Sequence, residues 1–195
     1  MRHLQTKRTL QAGLDGEQAT GEELNQLLRL GCRVFHDVPF PYGNIDHVVI
    51  SPSGIYAVET KIVGKLPADG DQARVTVDNA AGTVHFPNVA WRIPVNQLES
   101  QAKWLKGFVS DSTGLNVPVE PMLALPGWFI AARTGVSPAG IFVINPVNAG
   151  KFFVRSHRVL SEEAIQRISH QLEQRCRDVE PAYKREQPKI AELTS

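Results

Sequence analysis

The 195-residue chain is long enough for one hydrophobic core and a tail. At 42% hydrophobic and 21% charged residues it is too apolar for a disordered polymer. Its 21 lysines and arginines against 20 acids leave a formal charge of +1, which excludes recognition of nucleic acid by bulk charge and confines any such role to local patches.

Residues 1–15 have no clear period and read as an N-terminal lead-in or mobile arm. Met1–Leu10 is polar and basic and lacks the apolar centre of a signal peptide. Residues 16–30 read as a helix with Ala19, Glu23, Leu27 and Leu30 on one stripe and Leu24 and Leu28 beside it. Asp15 is the candidate N-cap and Gly31 the stop, although Gly21 allows a later start capped by Thr20. Residues 32–36 read as a strand. A loop through Pro39-Phe40-Pro41-Tyr42-Gly43 leads into Asn44–Lys61, where two β-rich runs flank Ser51-Pro52-Ser53-Gly54 and predict a hairpin.

Short strands are expected at Ala73–Val77 and Thr83–Phe86, and a helix at Pro94–Val109 with Val95, Leu98, Ala102, Leu105 and Val109 on one face. Val119–Leu125 and Gly140–Ile144 are strand-like, and Lys151–Arg155 reads as a last short strand. Ser161 is the expected N-cap of a final helix reaching about Arg177, with Glu162 and Glu163 in its first turn. The main domain is expected over 16–178, and 179–195, with Pro181 and Pro188, as a mobile tail. The longest apolar stretch, around Met122–Ala132, is broken by Pro126 and Gly127 and falls short of the ~20 residues of a membrane helix. Cys32 and Cys176 are far apart, with no metal-ligand spacing, which favours reduced thiols over a disulfide. A cytoplasmic protein without a membrane partner is expected.

The hairpin carries the chemistry. A four-residue turn at 51–54 pairs Ile50 with Ile55 and sets Asp46 opposite Glu59 and Asn44 opposite Lys61. Asp46, Glu59 and Lys61 then share one face with Val48, Ile50, Ile55 and Ala57, while Ile45, Val49, Tyr56 and Val58 form the other. Two largely apolar faces predict a hairpin covered on both sides. Opposed carboxylates on a buried surface need compensation by a divalent cation, a shared proton or Lys61. Two carboxylates with room for water and phosphate oxygens suit Mg²⁺, which can activate water for phosphodiester hydrolysis. A structural charge cluster at a hairpin end is the equal alternative, and a one-residue slip would part Asp46 from Glu59.

An Asp, a hairpin and Glu-x-Lys (here Asp46, then Glu59-Thr60-Lys61) resembles the PD-(D/E)XK nuclease superfamily. The wider setting is more specific. Gly21-Glu22, Asn44-Ile45-Asp46-His47-Val48-Val49, Gly54-Ile55-Tyr56, Glu59-Thr60-Lys61 and Pro94 with Gln97 together resemble the NERD, or nuclease-related domain, family over about residues 16–155. The resemblance implies a restriction-endonuclease-like α/β fold, a mixed central sheet flanked by helices. It implies Mg²⁺ or Mn²⁺ on Asp46 and Glu59, with the backbone carbonyl of Thr60 as a further ligand and Lys61 as catalytic lysine. Glu22 would reach the metal directly or through water, and is favoured over Glu23 because it follows Gly21. Gln97 would line the site. The segment 64–92 does not align to the family pattern.

His47 neighbours Asp46 but faces away along the strand, as a core histidine would, and His36, His85 and His157 lack ligand spacing. Ser51 and Ser53 sit in no GxSxG setting, and there is no phosphate-binding glycine loop. Lys61, Lys65, Arg92, Lys103, Lys106, Lys151, Arg155, Arg158, Arg167, Arg175 and Arg177 are candidate phosphate contacts, and Trp91, Trp104 and Trp128 candidate stacking rings. Each is more commonly a solvated charge or a core aromatic. The expected function is metal-dependent hydrolysis of DNA, with RNA open as a second substrate. The alternative is a nuclease-like module that binds nucleic acid or a protein partner without cutting. Oligomeric state is not legible.

Overall fold

The computed structural model describes residues 2–64, 73–137, 139–154 and 157–177, with side chains from Gly13 onward except Asn148. The tail expected at 179–195 lies outside the described residues, as do Lys65 and Arg155.

The principal sheet grows from the predicted hairpin. Its strands are β2 (Gly43–Ser51) and β3 (Gly54–Thr60), preceded by β1 (Arg33–Phe40). Ile50 pairs with Ile55 and the antiparallel ladder runs on to His47 and Val58, the register the turn predicted. The turn closes because Gly54 adopts φ 149°, open to glycine at no steric cost, and Ser51 Oγ accepts the Ser53 N–H at 3.0 Å. β7 (Val119–Ala124) joins β3 in parallel and β9 (Phe142–Ile144) joins β7, giving the order β1-β2-β3-β7-β9. β3 is buried at every position, which is why it reads as an almost continuous apolar run.

Helices cover both faces. On one, α2 (Val95–Thr113) and α4 (Glu162–Arg177) bring Leu105, Val109, Ile165 and Leu172 against Val48, Ile50, Ile55 and Ala57. On the other, α1 (Arg2–Asn25) and α3 (Gly150–Phe153) bring Leu24 and Phe153 against Val49, Tyr56 and Val58. Ile45 departs from the expected alternation and packs with Val38 in the α2–α4 cluster. The β1 residue between His36 and Val38 is Asp37, whose φ of 51° interrupts the regular strand beside Asp46.

α4 starts at the predicted cap, with Ser161 Oγ accepting the Ala164 N–H at 3.2 Å. α1 differs from expectation. It runs unbroken from Arg2, so neither Asp15 nor Thr20 is its cap, and the expected lead-in is helical. A 3-10 turn over Gln26–Leu30 follows, ended by Gly31 at φ 78°. Its inward stripe is Gly16, Thr20, Leu24 and Leu27, while Ala19 and Leu30 are exposed. The strand expected at Lys151–Arg155 is instead α3, reached through a 3-10 turn at Pro146–Asn148. Asn145 accepts the Val147 N–H there and Pro146 supplies a φ suited to a helix start.

The segment between β3 and α2 supplies β4 (Arg74–Asp78), β5 (Thr83–His85) and β6 (Ala90–Arg92), which with β8 (Phe129–Thr134), after β7, build a second mixed sheet ordered β6-β5-β4-β8. Trp128, with Val75, Val77, Leu98 and Leu123, forms its core, so this tryptophan is a packing residue. Two mixed sheets flanked by helices are a mixed α/β fold consistent with the restriction-endonuclease-like class. No helix among the described residues is long and apolar enough to cross a membrane.

Candidate active site

The site forms where the hairpin ladder ends. Glu59, on the central strand, is only 3% exposed, yet it is held by three donors. Lys61 Nζ and Gln97 Nε2 both donate to Oε1, the latter at 2.7 Å, and Gln101 Nε2 donates to Oε2 at 2.7 Å. The two glutamines are four residues apart on α2, so one helix face delivers both amides. Gln101 is fully buried, and its own Oε1 has no hydrogen-bond partner among the described residues.

Asp46 lies across the strand boundary. Its Oδ2 accepts the Thr60 backbone N–H at 2.7 Å, tying the carboxylate to the Glu-x-Lys segment. Lys61 N–H in turn donates to the Ala124 carbonyl at 3.0 Å, so β7 fixes the backbone from which Lys61 projects. Burial pushes the Asp46 carboxyl up to about 7, with repulsion from Glu59 adding to it. The Thr60 N–H opposes the rise.

This carboxyl protonates more readily in the fold than in the unfolded chain, where its pKa lies near 3.8. Its contribution to stability is therefore fully present below pH 3.8 and lost as pH rises through 7. Asp46→Asn keeps an acceptor for Thr60 N–H without the charge. In EDTA the parent should lose thermal stability between pH 5 and 8 and the variant should lose less, melting several degrees higher at pH 8. Melting scans followed by circular dichroism at both pH values check this.

Against α1 and the β1–β2 pair opens a cleft of about 550 Å³, lined by Glu17, Gly21, Glu22, His36, Asp46 and His47 among others. Glu22, the expected α1 acid, is exposed on its rim. Glu17 is half-buried, and its carboxyl is raised by burial first, then by Asp37 and Glu59, with Lys61 opposing. The helix phase explains the exchange. Glu17 lies four residues before Gly21, whose face turns toward His36 and His47, whereas Glu22 is rotated outward. A second Gly-Glu pair, Gly16-Glu17, was the available signal. His47 is 3% exposed, with its Nδ1 2.8 Å from His36 Nδ1, as suits a packed histidine. Burial lowers its pKa to about 4.

Asp46, Glu59, Lys61 and Gln97 are thus brought together with the Thr60 backbone, Glu22 remains peripheral, and Gln101 and Glu17 join them unanticipated. Such a set can hold a cation against two carboxylates or present a lysine beside them. Among candidate phosphate contacts, Lys103 and Lys106 are exposed on α2, whereas Arg175 donates to the Pro39 carbonyl at 3.0 Å.

A family model described as NERD, nuclease-related domain, matches residues 12–126, from within α1 through the hairpin and α2 to just beyond β7. No match was found among curated proteins or among solved structures. The match covers more than half of the sequence and contains the whole Asp46–Glu59–Lys61 constellation, and the chain belongs to the nuclease-related domain family.

Proposed function

We propose that this protein is a divalent-metal-dependent nuclease that hydrolyses DNA phosphodiester bonds, with Mg²⁺ or Mn²⁺ as its cation. The observation that carries the reading is the pairing of Asp46 with the Glu59-Thr60-Lys61 segment at the end of a buried hairpin, Thr60 N–H on one carboxylate and Lys61 on the other.

The donor set fits such a cation. Among the described residues no three His, Cys, Asp or Glu side chains gather to hold a metal. Mg²⁺, however, is commonly held by one or two carboxylates with waters completing its shell. Asp46 and Glu59 would supply the carboxylates and the Thr60 carbonyl a further oxygen, with Glu17 nearer than Glu22 to act through water. The bound cation would lower the pKa of a water and neutralise charge on the phosphate. A cation would also relieve the burial and repulsion that raise Asp46.

The protein's own groups have separate tasks. Thr60 N–H orients Asp46. Gln97 and Gln101 hold Glu59 in one rotamer. Lys61, about a third exposed, keeps a cationic donor where the attacking water and the phosphate meet.

One observation favours a second reading, a nuclease-like module that binds nucleic acid or a protein partner without cutting. Three hydrogen bonds already take most of the acceptor capacity of the Glu59 carboxylate, leaving a metal one lone pair on Oε2 unless a donor gives way. Supercoiled plasmid, linear duplex, single-stranded DNA and RNA incubated with Mg²⁺, Mn²⁺ or EDTA decide between them. Metal-dependent cutting lost in Asp46→Ala and Glu59→Ala supports the nuclease. Binding of nucleic acid with no cutting of any form supports the module.

A further inference from the structure

We propose that the cleft between the β1–β2 turn and α2 grips a single-stranded segment of nucleic acid, one base stacking on Tyr42 and its phosphate lying at Lys103. The inference rests on the nuclease reading of the neighbouring carboxylates and names the form of substrate they would receive.

The cleft has a volume of about 730 Å³ and is lined by Tyr42, Ser100, Lys103, Trp104, Asp111 and Ser112 among others. That is ample for a ligand the size of a nucleotide. An aromatic row backs it. Trp104 stacks on Phe108 with ring centres 5.4 Å apart and planes at 17°, Phe40 lies 5.9 Å from Trp104, and Tyr42 meets Phe40 edge-on at 5.9 Å. The inner rings are engaged, Trp104 also by the Arg175 guanidinium at 5.6 Å. Tyr42 ends the row and is 86% exposed. A lone exposed aromatic is ordinary. One steadied by its neighbours at the mouth of a cleft, with a lysine and two hydroxyls opposite, offers a stacking platform with a phosphate contact.

Position supplies the link to the carboxylates. Tyr42 precedes Asp46 by four residues on the same turn and strand, about 13 Å of extended chain. On α2, Ser100 and Lys103 flank Gln101, whose amide holds Glu59. The same two elements therefore wall the cleft and set the carboxylates. Lys103 lies toward the Gln101 end and Asp111 two turns further on, so charge draws the backbone to the carboxylate end and repels it from the other. A duplex keeps its base faces stacked within the helix, whereas a single strand presents them. Tyr42 therefore selects single-stranded segments or unpaired ends.

Fluorescence anisotropy tests this with a labelled fifteen-base oligothymidylate and a duplex of equal length, titrated with the full chain in EDTA. The parent should bind the single strand more tightly than the duplex. Tyr42→Ala should weaken single-strand binding about 5- to 100-fold with an unchanged melting temperature, and Tyr42→Phe should restore it. Lys103→Ala should reduce the salt slope by about one unit. Equal single-strand affinity for Tyr42→Ala and parent, preference for duplex, or no single-strand binding would overturn the proposal. Cleavage is read separately. Cutting by a protein whose binding ignores Tyr42 removes this inference alone, and Tyr42-dependent binding without cutting removes the nuclease reading alone.

Discussion

Asp46→Ala and Glu59→Ala are expected to lose at least ~10³-fold in metal-dependent cleavage, with Lys61→Met losing about 10²- to 10³-fold and Gln97→Ala about 10- to 100-fold. The order follows from what each group touches. The carboxylates are the anionic oxygen donors of the set, the ligands a hard cation prefers, so removing either takes away part of the cation's seat. Lys61 donates to Glu59 and is about a third exposed, so its loss removes a preorganised donor and leaves both carboxylates in place. Gln97 reaches the chemistry only through Glu59 Oε1, and Gln101 still holds the other oxygen when Gln97 is gone. Single-turnover rates at saturating Mn²⁺, with supercoiled plasmid and single-stranded DNA, give the series. If Gln97→Ala proved as damaging as Asp46→Ala, the glutamine would have to contact substrate itself. If Lys61→Met cut at the parent rate, electrostatic assistance by lysine would be lost from the scheme.

The features readable from sequence share a physical basis: each is a local rule with one outcome. Ser51-Pro52-Ser53-Gly54 admits one tight turn, and once its register is set, Asp46 must arrive beside the Glu59-Thr60-Lys61 segment. Ser161 followed by two acids marks a helix start whatever the fold around it. Lys151-Phe152-Phe153-Val154 fails that condition, because a run of three apolar residues suits strand and helix alike. The deciding influence was the cap and proline just upstream, Asn145-Pro146. Glu22 is favoured over Glu23 for following Gly21, yet the same dipeptide also occurs at Gly16-Glu17. Only the phase of α1 against β1 and β2, a tertiary property, turns Glu17 inward. Gln101 was overlooked because it lies beside Leu98, Ala102 and Leu105 on an otherwise apolar stripe. A fully buried amide among such residues is costly without a partner, and that cost was the clue to Glu59. Ile45 changed faces because alternation assumes regular strands, and Asp37 at φ 51° breaks that regularity.

The same array separates stability from catalysis at a single position. Glu59→Ala strands the buried Gln101 amide, whose Oε1 already lacks a partner among the described residues. An unsatisfied buried polar group costs about 1–3 kcal/mol, and the vacated side-chain volume adds to it. Lys61 and Gln97 are less affected, since both can turn to solvent. Glu59→Gln behaves differently. Its carbonyl can still accept from Gln101 Nε2, its amide can donate to the orphaned Gln101 Oε1, and a buried negative charge disappears. Urea unfolding in EDTA should therefore place Glu59→Ala about 1–3 kcal/mol or more below the parent and Glu59→Gln at or above it. Mg²⁺ should then stabilise the parent and not Glu59→Gln, because binding to the folded state alone raises stability and an amide is a poor seat for a hard cation. Equal losses in the two variants would mean that charge on Glu59, rather than its hydrogen-bonding shape, holds the end of β3 against α2. Equal Mg²⁺ stabilisation of parent and Glu59→Gln would place the cation elsewhere than on this carboxylate.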